Sequence, residues 1–348
     1  MPSPTIKDIA RAVGVAHSTV SRALNGDSRI SLATRQRVLR AAAELGYSPN
    51  LSARGLVRGQ VLSIGLVIPE VVEAFFGRIV HGADQVTFDE GFNLVLYVTH
   101  ADVRREMAAL EQVGKGRVDG MILMIRKLKE EAIRNAARAG VPLVMLMRSL
   151  QDAAVDTVRV ENEDGAYRAV QHLTQLGHRR IAFISGYHHA QDSRERLRGY
   201  RRALRDAGIP FRRALVMRGD FRESGGSAAA ERLLSLPPAE RPTAIFAAND
   251  RMALGVMDRL ARSGVRVPDE VSVIGFDDIE QASYARPALT TVRQPVEEVG
   301  RAAARRLIDR IRGRECQERD IVLQTELVIR ASCAAAARPP IAPRPPTA

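Results

Sequence analysis

Apolar residues in the first fifty positions recur every three or four residues, which is the period of an α-helix. One stripe runs from Ile6 to Val13, and a second contains Val20 and Leu24. Between them, Gly14 can adopt the left-handed conformation that often ends a helix. The pattern predicts two short helices joined by a tight turn.

Polar residues mark where these helices begin. Thr5 followed three residues later by Asp8 forms a capping-box pattern, so the first helix should begin near Ile6. Ser31 and Gly46 bracket a third helix as its cap and its stop. The buried face of this helix is predicted to consist of Val38, Leu39, Ala42 and Leu45. Three helices of this length indicate a helix-turn-helix with a small core.

Beyond residue 60 the pattern changes to short runs of aliphatic and β-branched residues separated by longer amphipathic stretches. Runs that are apolar on both faces and alternate with helices are typical of parallel sheets covered on both sides. Residues 162–176 and 296–312 are predicted to be helices. The predicted strands are residues 62–68, 92–98, 120–125, 143–147, 181–185, 214–217, 243–247 and 271–276.

A break in this alternation near residues 160–162 indicates two lobes, and a late strand predicted over 321–329 is expected to return to the second lobe. Ligands of open α/β sheets bind outside the carboxyl ends of the strands, so two facing lobes predict a cleft for a small molecule. The predicted fold class is an N-terminal all-α helix-turn-helix headpiece followed by a two-lobed α/β core with parallel sheets.

The basic charge of the chain is concentrated near its start. Residues 1–60 contain nine Lys and Arg against three acidic residues, in a chain of 348 residues with a net charge of +12. Such a basic head is the electrostatic footprint of a protein that binds the phosphate backbone of duplex DNA. The polar face of the second helix carries side chains that can hydrogen-bond to base edges or phosphates, namely His17, Ser18, Arg22 and Asn25.

Other function classes find no support in the sequence. It has no apolar run long enough to span a membrane and no signal-peptide pattern, and its two cysteines, Cys316 and Cys333, suit a reducing cytoplasm. The adjacent His188 and His189 lack the further ligands of a metal site. The charged runs 104–106 and 301–306 are predicted to be solvated helix faces. We expect no catalytic residue, no metal and no cofactor.

Three segments, TIKDIA (5–10), VAHSTVSRALN (15–25) and LGYSPN (45–50), resemble the headpiece of the LacI/GalR family of bacterial transcription regulators. The resemblance implies that His17, Ser18 and Arg22 face base edges. It assigns phosphate contacts to Thr19, Ser21, Asn25, Ser31, Thr34 and Asn50.

The same resemblance implies a hinge helix over residues 51–57, in which Ala53 contacts DNA and Leu56 is wedged into the minor groove, where it kinks the duplex. Gly55 lies inside this short helix and costs about 1 kcal/mol relative to alanine. We therefore predict that the hinge is disordered off DNA and folds only on the operator. A second departure is Ala16, where the family usually has a Ser or Thr cap.

The segments LTQLGHRRIA (173–182), FAANDRMALG (246–255) and SVIGFDD (272–278) are similar to the effector-binding core of the same family, which resembles periplasmic sugar-binding proteins. By position, the resemblance places around the cleft Phe75, Phe76, Arg148, Arg196, Phe221, Asn249 and Asp277. A carboxylate, a guanidinium and aromatic faces together suit a sugar. Phe75 and Phe76 are equally expected to fill the core, because a helix must bury one face.

Arg126 adds a third guanidinium to Arg148 and Arg196 near the same opening. Guanidiniums bind the oxygens of phosphates and carboxylates in pairs, so an anionic effector such as a sugar phosphate or sugar acid is a hypothesis beside a neutral sugar. The sequence leaves both open.

Five prolines follow residue 338, and the tail has no leucine heptads. We predict disorder over residues 331–348 and a homodimer rather than a tetramer. The remaining predicted domains are a headpiece (1–50), a hinge helix and linker (51–60), and an effector-binding and dimerisation domain (61–330).

The predicted function is a transcriptional repressor whose homodimer binds a near-palindromic operator under the control of a small molecule in the cleft. Whether that molecule is an inducer or a co-repressor stays open. The alternative is a cytoplasmic sugar-binding sensor whose N-terminal module docks a partner other than DNA.

Overall fold

The computed structural model describes residues 4–24, 27–47, 61–150, 155–188, 190–314 and 318–336. The chain divides into two compact units, Met1–Val61 and Leu62–Ala348. Each unit has its own buried apolar core.

The described residues of the first unit form three helices: α1 (Ile6–Val13), α2 (His17–Leu24) and α3 (Leu32–Glu44). The carboxylate of Asp8 accepts hydrogen bonds from the Thr5 N–H at 2.9 Å and from the Thr5 hydroxyl at 2.7 Å, and α1 begins at Ile6 as predicted. Gly14 ends α1 with φ at 72°. The predicted helix-turn-helix is confirmed.

The core of this unit is small. Ile9, Val20 and Val38 are fully buried where the three helices meet. Val38 and Ala42 form the inner face of α3 as predicted, but Leu39 and Leu45 are 48% and 41% exposed, so their assignment to that face is wrong. Three short helices enclose a narrow space, which two residues one turn apart on α3 already fill.

The second unit alternates strands with helices. Its strands are β1 (Ser63–Ile68), β2 (Asn93–Val98), β3 (Gly120–Leu123), β4 (Leu143–Leu146), β5 (Asp156–Val160), β6 (Ile181–Ser185), β7 (Val216–Arg218), β8 (Ala244–Ala247), β9 (Ser272–Ile274), β10 (Thr291–Arg293), β11 (Asp320–Leu323) and β12 (Glu326–Val328). Its helices are α4 (Ala74–Asp89), α5 (Val103–Gly114), α6 (Glu130–Arg138), α7 (Asn162–Gln175), α8 (Gln191–Asp206), α9 (Glu223–Leu234), α10 (Asp250–Arg262), α11 (Glu280–Tyr284) and α12 (Val296–Ile311).

Two parallel sheets define two lobes. Lobe 1 contains a six-stranded sheet in the order β11-β5-β4-β3-β1-β2, and lobe 2 contains a four-stranded sheet in the order β7-β6-β8-β9. Every predicted strand from 62–68 to 271–276 is present, with ends that differ by one or two residues. The predicted parallel two-lobed core is confirmed. Strand β5 was not predicted, because Asp156, Thr157 and Arg159 interrupt its apolar character.

The prediction of one late strand over 321–329 is wrong. It is two strands, and β11 does not return to the second lobe but pairs in parallel with β5 at the edge of the lobe 1 sheet. The second strand, β12, pairs antiparallel with β10. The chain passes between the lobes at about residue 161, again between β10 and α12, and again between β11 and β12. The apolar pattern of the segment is the same for either lobe, so it could not identify the partner strand.

Helix α12 therefore belongs to lobe 1, where it packs against α4. Glycines allow the two backbones to approach closely. A Cβ on Gly82 would lie 2.0 Å from the carbonyl oxygen of Glu297, and a Cβ on Gly300 would lie 2.1 Å from that of Ile79. Any side chain at either position would force the two helices apart.

The two charged runs are not simply solvated, which corrects a second prediction. Arg104 and Arg105 are exposed, but Glu106 is 1% exposed. In the other run, Arg306 is buried near Asp156, a carboxylate that also receives two hydrogen bonds from Arg310 at 2.5 and 2.6 Å. Charge alone did not reveal that these residues have partners far away in the sequence.

Disorder from residue 331 onward is likewise contradicted as far as Ala336. The N–H of Val273 donates to the carbonyl of Ser332, and the N–H of Ala336 donates to that of Leu176. His178 is 3% exposed and hydrogen-bonded to the carbonyl of Ala334 at 3.0 Å. Residues 331–336 thus run along lobe 2 beside β9, and residues 337–348 lie outside the described residues.

Cys333 carries a free thiol, and burial raises its pKa to about 11. Cys316 lies outside the described residues. Within the described ranges, no helix is both long and apolar enough to cross a membrane.

Candidate functional site

Helix α2 presents a polar face opposite its buried one. Val20 and Ala23 are buried, while His17, Ser18 and Arg22 are exposed. Thr19 and Ser21 are half-buried along the edges of that face. An exposed guanidinium beside short hydroxyl and imidazole groups can enter a major groove and hydrogen-bond there. The predicted contact Asn25 lies outside the described residues.

The start of α3 offers a second polar position. The hydroxyl of Ser31 donates to the Thr34 hydroxyl at 2.9 Å and accepts from the Thr34 N–H at 3.3 Å, so Ser31 caps this helix. The N-terminus of a helix attracts phosphate through its free N–H groups and its dipole. The predicted contacts Asn50, Ala53 and Leu56 lie outside the described residues, together with the hinge over 51–57.

Three basic residues of this unit have structural partners, and the first, Arg11, lies 3.6 Å from Asp8. Arg29 pairs with Asp27 at 2.7 Å, and its hydrogen bonds lower the pKa of Asp27 to about 2. The Arg37 guanidinium donates to the carbonyl of Val13 at 2.7 Å and so satisfies an acceptor at the end of α1.

A cleft opens between the two lobes and contains two adjacent cavities, of 690 and 240 Å³. Both are lined by Arg126, Lys127, Tyr187 and Phe221. The larger cavity lies against the ends of β3 and β4 on lobe 1 and the start of α8 on lobe 2. This placement agrees with the cleft predicted at the carboxyl ends of the strands.

The predicted cleft residues divide into two groups. Arg126, Arg148 and Phe221 line the larger cavity, and Phe76 lines the smaller one. Phe75 lines neither and packs edge-on against Phe76, with ring centroids 5.4 Å apart. The remaining members, Arg196, Asn249 and Asp277, also line neither of these two cavities.

Arg196 and Asp277 are brought together inside lobe 2. Their charged groups are 3.7 Å apart, and Arg196 is 3% exposed with its guanidinium 3.8 Å from the ring centroid of Phe276. Arg196 also donates to the side chain of Asn162 at 3.0 Å, and Gln294 donates to Asp277 at 2.6 Å. Burial raises the pKa of Asp277, and the nearby Arg196 opposes that rise.

Asn249 acts on the cleft through Phe221. Its side-chain amide donates to the carbonyl of Phe221 at 3.0 Å, while its oxygen accepts from the N–H of Met252 at 3.0 Å and caps α10. Phe221 has φ at 62°, which is uncommon for a residue with a side chain. Its ring lies 5.7 Å from that of Tyr187, so Asn249 holds the backbone that places one aromatic wall of the cleft.

Sequence reasoning missed the residue that shapes the opposite wall. The buried carboxylate of Glu106 accepts hydrogen bonds from three successive backbone N–H groups, those of Arg126 at 2.9 Å, Lys127 at 3.1 Å and Leu128 at 2.6 Å. A charged group in a run of basic residues resembles solvated surface, and only the sheet order brings α5 beneath this loop. The sequence shows a Glu in the first turn of this helix, but it does not show that the side chain is buried.

Two arginines bridge the lobes beside the smaller cavity. Arg222 lies 3.4 Å from Glu70, and Arg251 pairs with both Glu73 and Glu223. Burial raises the pKa of Glu73, and Arg251 is the main opposing influence. Opposite charges on facing lobes favour the approach of the two walls. Among the described residues, no cluster of three or more side chains has the composition of a metal site.

Two family models match this chain. Residues 5–50 match the model described as bacterial regulatory proteins, lacI family, and residues 170–333 match the periplasmic binding protein-like domain. Among curated proteins, the HTH-type transcriptional repressor PurR of Aliivibrio fischeri (strain MJ11) is 34% identical over 329 residues, which cover 94% of this chain and 98% of that protein.

Two solved structures are similar to this chain over most of its length. The lac repressor dimer bound to operator and the anti-inducer ONPF has a TM-score of 0.86 at 31% identity and covers 96% of this chain and 100% of its own. The transcriptional regulator CelR–cellobiose complex has a TM-score of 0.72 at 37% identity and covers 94% of this chain and 99% of its own.

Proposed function

The chain belongs to the LacI family of bacterial regulatory proteins, and on that premise we propose that it is a transcriptional repressor controlled by a small molecule. Its homodimer binds a near-palindromic operator. A sugar or sugar derivative that enters the cleft weakens or strengthens this binding. One observation carries the proposal. The same chain joins a helix that exposes His17, Ser18 and Arg22 to a two-lobed unit with a 690 Å³ cavity.

The DNA-binding role is assigned to α2 and the start of α3. Direct hydrogen bonds to base edges come from His17, Ser18 and Arg22, and phosphate contacts come from Thr19, Ser21, Ser31 and Thr34. The excess of basic residues in positions 1–60 favours binding to DNA over the alternative of a sensor that docks another partner.

The effector role is assigned to the cleft. Its walls combine aromatic rings with polar and charged side chains, which is the composition of a carbohydrate site. A related regulator, CelR, is known in complex with cellobiose, which supports a sugar as the class of effector. Operator and effector affinities are linked reciprocally, so a ligand that weakens DNA binding is itself bound more weakly by the DNA complex.

The test begins by selecting an operator with the full chain from a random duplex library. We expect a near-palindrome with half-sites about one helical turn apart. Fluorescence anisotropy then measures the affinity for this operator with and without sugars. Selection of no sequence, or an affinity for DNA that does not fall with salt, would contradict the DNA-binding role. An affinity that no sugar or sugar derivative alters would contradict the effector role.

A further inference from the structure

The lobe 1 wall of the larger cavity carries two cations that form no ion pair in the described part of the chain. Three cations line this wall: Arg126, Lys127 and Arg148. Arg148 pairs with Glu130 at 2.7 Å. No ion pair within the described part of the chain includes Arg126 or Lys127. Glu73 acts on Arg126 from a greater distance, and Glu73 is already paired with Arg251.

The anion hypothesis from the sequence named three guanidiniums, and the structure changes that set. Arg148 pairs with Glu130, a carboxylate that also pairs with Arg134, and Arg196 is buried beside Asp277. Arg126 forms no ion pair in the described residues, although the carboxylates of Asp192 and Asp220 also line the two cavities. Lys127, which the sequence had not singled out, joins it.

The surroundings of these two cations suit a sugar that bears an anionic group. The guanidinium carbon of Arg126 lies 5.6 Å from the ring centroid of Tyr187, and both residues line the two cavities together with Phe221. The backbone N–H groups of residues 126–128 are occupied by Glu106, so the loop offers its side chains to a ligand. Aromatic faces can cover the ring of a sugar while the cations hold its charge.

Resting on the effector role proposed above, we propose that the cleft takes an anionic sugar derivative, a sugar phosphate or a sugar acid, whose anionic group is held by Arg126 and Lys127. Holding a phosphate or carboxylate between a guanidinium and an ammonium compensates both charges in a partly desolvated site. The cavity of 690 Å³ lies within the usual size range of small-ligand pockets.

The test is calorimetric titration of the full chain with matched pairs of ligands. Each neutral sugar is paired with its charged relative: glucose with glucose 6-phosphate, trehalose with trehalose 6-phosphate, and cellobiose with cellobionate. We expect at least one charged member to bind about tenfold more tightly than its neutral partner, with a preference that shrinks as salt is raised. The phosphate and carboxylate pairs distinguish the two kinds of anion.

Substitutions locate the anion site. Arg126→Gln and Lys127→Gln should each lower the affinity for the charged ligand about tenfold while leaving that for its neutral partner unchanged. The matched controls are Arg138→Gln and Lys129→Gln, which remove the same charges from exposed positions of lobe 1 that line neither cavity. Both controls should bind like the parent chain.

The proposal is overturned if no charged member binds, if each neutral sugar binds as tightly as its charged partner, or if the preference survives both cleft substitutions. A neutral sugar that binds at least as tightly as its charged partner and changes operator affinity would overturn the anion inference and leave the repressor function standing. A charged sugar that binds to a chain with no affinity for DNA would support the anion inference and contradict the repressor function.

Discussion

The carboxylate of Glu106 lies 2.6 Å from the backbone nitrogen of Leu128, twenty-two positions later in the chain. The same carboxylate accepts from the N–H groups of Arg126 and Lys127, so one buried side chain on α5 fixes a whole wall of the cleft. Hydrogen bonds to a charged acceptor are stronger than those between neutral groups. The loop is therefore held rigidly although it contains no regular structure.

Replacing Glu106 tests that role. Glu106→Ala leaves one buried and two part-buried N–H groups without an acceptor, and a buried one costs about 1–3 kcal/mol, so we expect the free energy of unfolding to fall by about 3 kcal/mol. Glu106→Gln keeps one acceptor oxygen and should lose less stability but still weaken effector binding. Urea denaturation and ligand titration measure the two effects. Glu111→Ala, exposed on the same helix, is the control and should change neither quantity by more than about 0.5 kcal/mol.

The crossing of α4 and α12 makes opposite predictions for two glycines of one helix. Gly82→Ala places a methyl group against the carbonyl of Glu297 and should destabilise the fold by about 2–3 kcal/mol. A Cβ on Gly77 of the same helix would meet no atom within 4 Å, and Gly77→Ala should stabilise the chain by up to about 1 kcal/mol. Thermal unfolding of both variants is the measurement. Equal effects of the two substitutions would contradict the close approach of these helices.

The buried imidazole of His178 predicts a loss of stability in acid. Burial lowers the pKa of His178, while the unfolded imidazole keeps a pKa of about 6.5. The stability that His178 contributes is therefore complete above about pH 6.5 and is lost as the pH falls through the lower folded pKa. Protonation would also remove the acceptor nitrogen that faces the Thr243 hydroxyl at 2.9 Å.

Between pH 7.5 and pH 5, the free energy of unfolding should therefore decline less steeply with falling pH in His178→Gln than in the parent chain. Burial also lowers the pKa of His172, which accounts for part of the decline that remains in that variant. His81→Gln replaces an exposed imidazole and should leave the slope unchanged. If stability falls as steeply with pH in His178→Gln as in the parent chain, the loss of stability in acid does not come from His178.

Arg22 is expected to read bases rather than merely to add charge. Arg22→Ala should weaken binding to the selected operator by about 1–3 kcal/mol and reduce discrimination against changes at one base position of each half-site. Arg78→Gln changes the charge of the chain equally from an exposed position on α4 and should leave that discrimination intact. Anisotropy titrations against single-base variants of the operator decide between the two. Weakening that is uniform across all sequences would make Arg22 a phosphate contact instead.

The parts of the fold that the sequence predicted are those set by local periodicity. The stripe containing Val20 and Leu24, the cap at Thr5 and the buried strands each depend on residues within a few positions of one another. The edge pairing of β11 with β5 joins residues more than 150 positions apart, and nothing in either segment specifies its neighbour. Strand order decided what periodicity could not.

The candidate site shows the same division. The family resemblance placed Arg148 and Phe221 around the cleft, the end of a predicted strand added Arg126, and all three line the larger cavity. Their pairing was not predictable, because whether a guanidinium meets a ligand depends on whether a residue such as Glu130 has already reached it. Asn249 was expected beside a ligand, yet in the described residues it holds the backbone of Phe221, a role that a sequence does not display.

The way the chain returns to lobe 1 affects its folding during synthesis on the ribosome. When residue 160 has emerged, β5 has no partner on its outer edge and α4 lacks α12, and both arrive only after most of lobe 2 has been synthesised. An unpaired edge strand can recruit other chains, so lobe 1 is exposed to misassembly from the synthesis of β5 until β11 has been made. A nascent chain stopped before residue 320 should therefore aggregate, whereas one released at residue 336 contains every strand of both sheets.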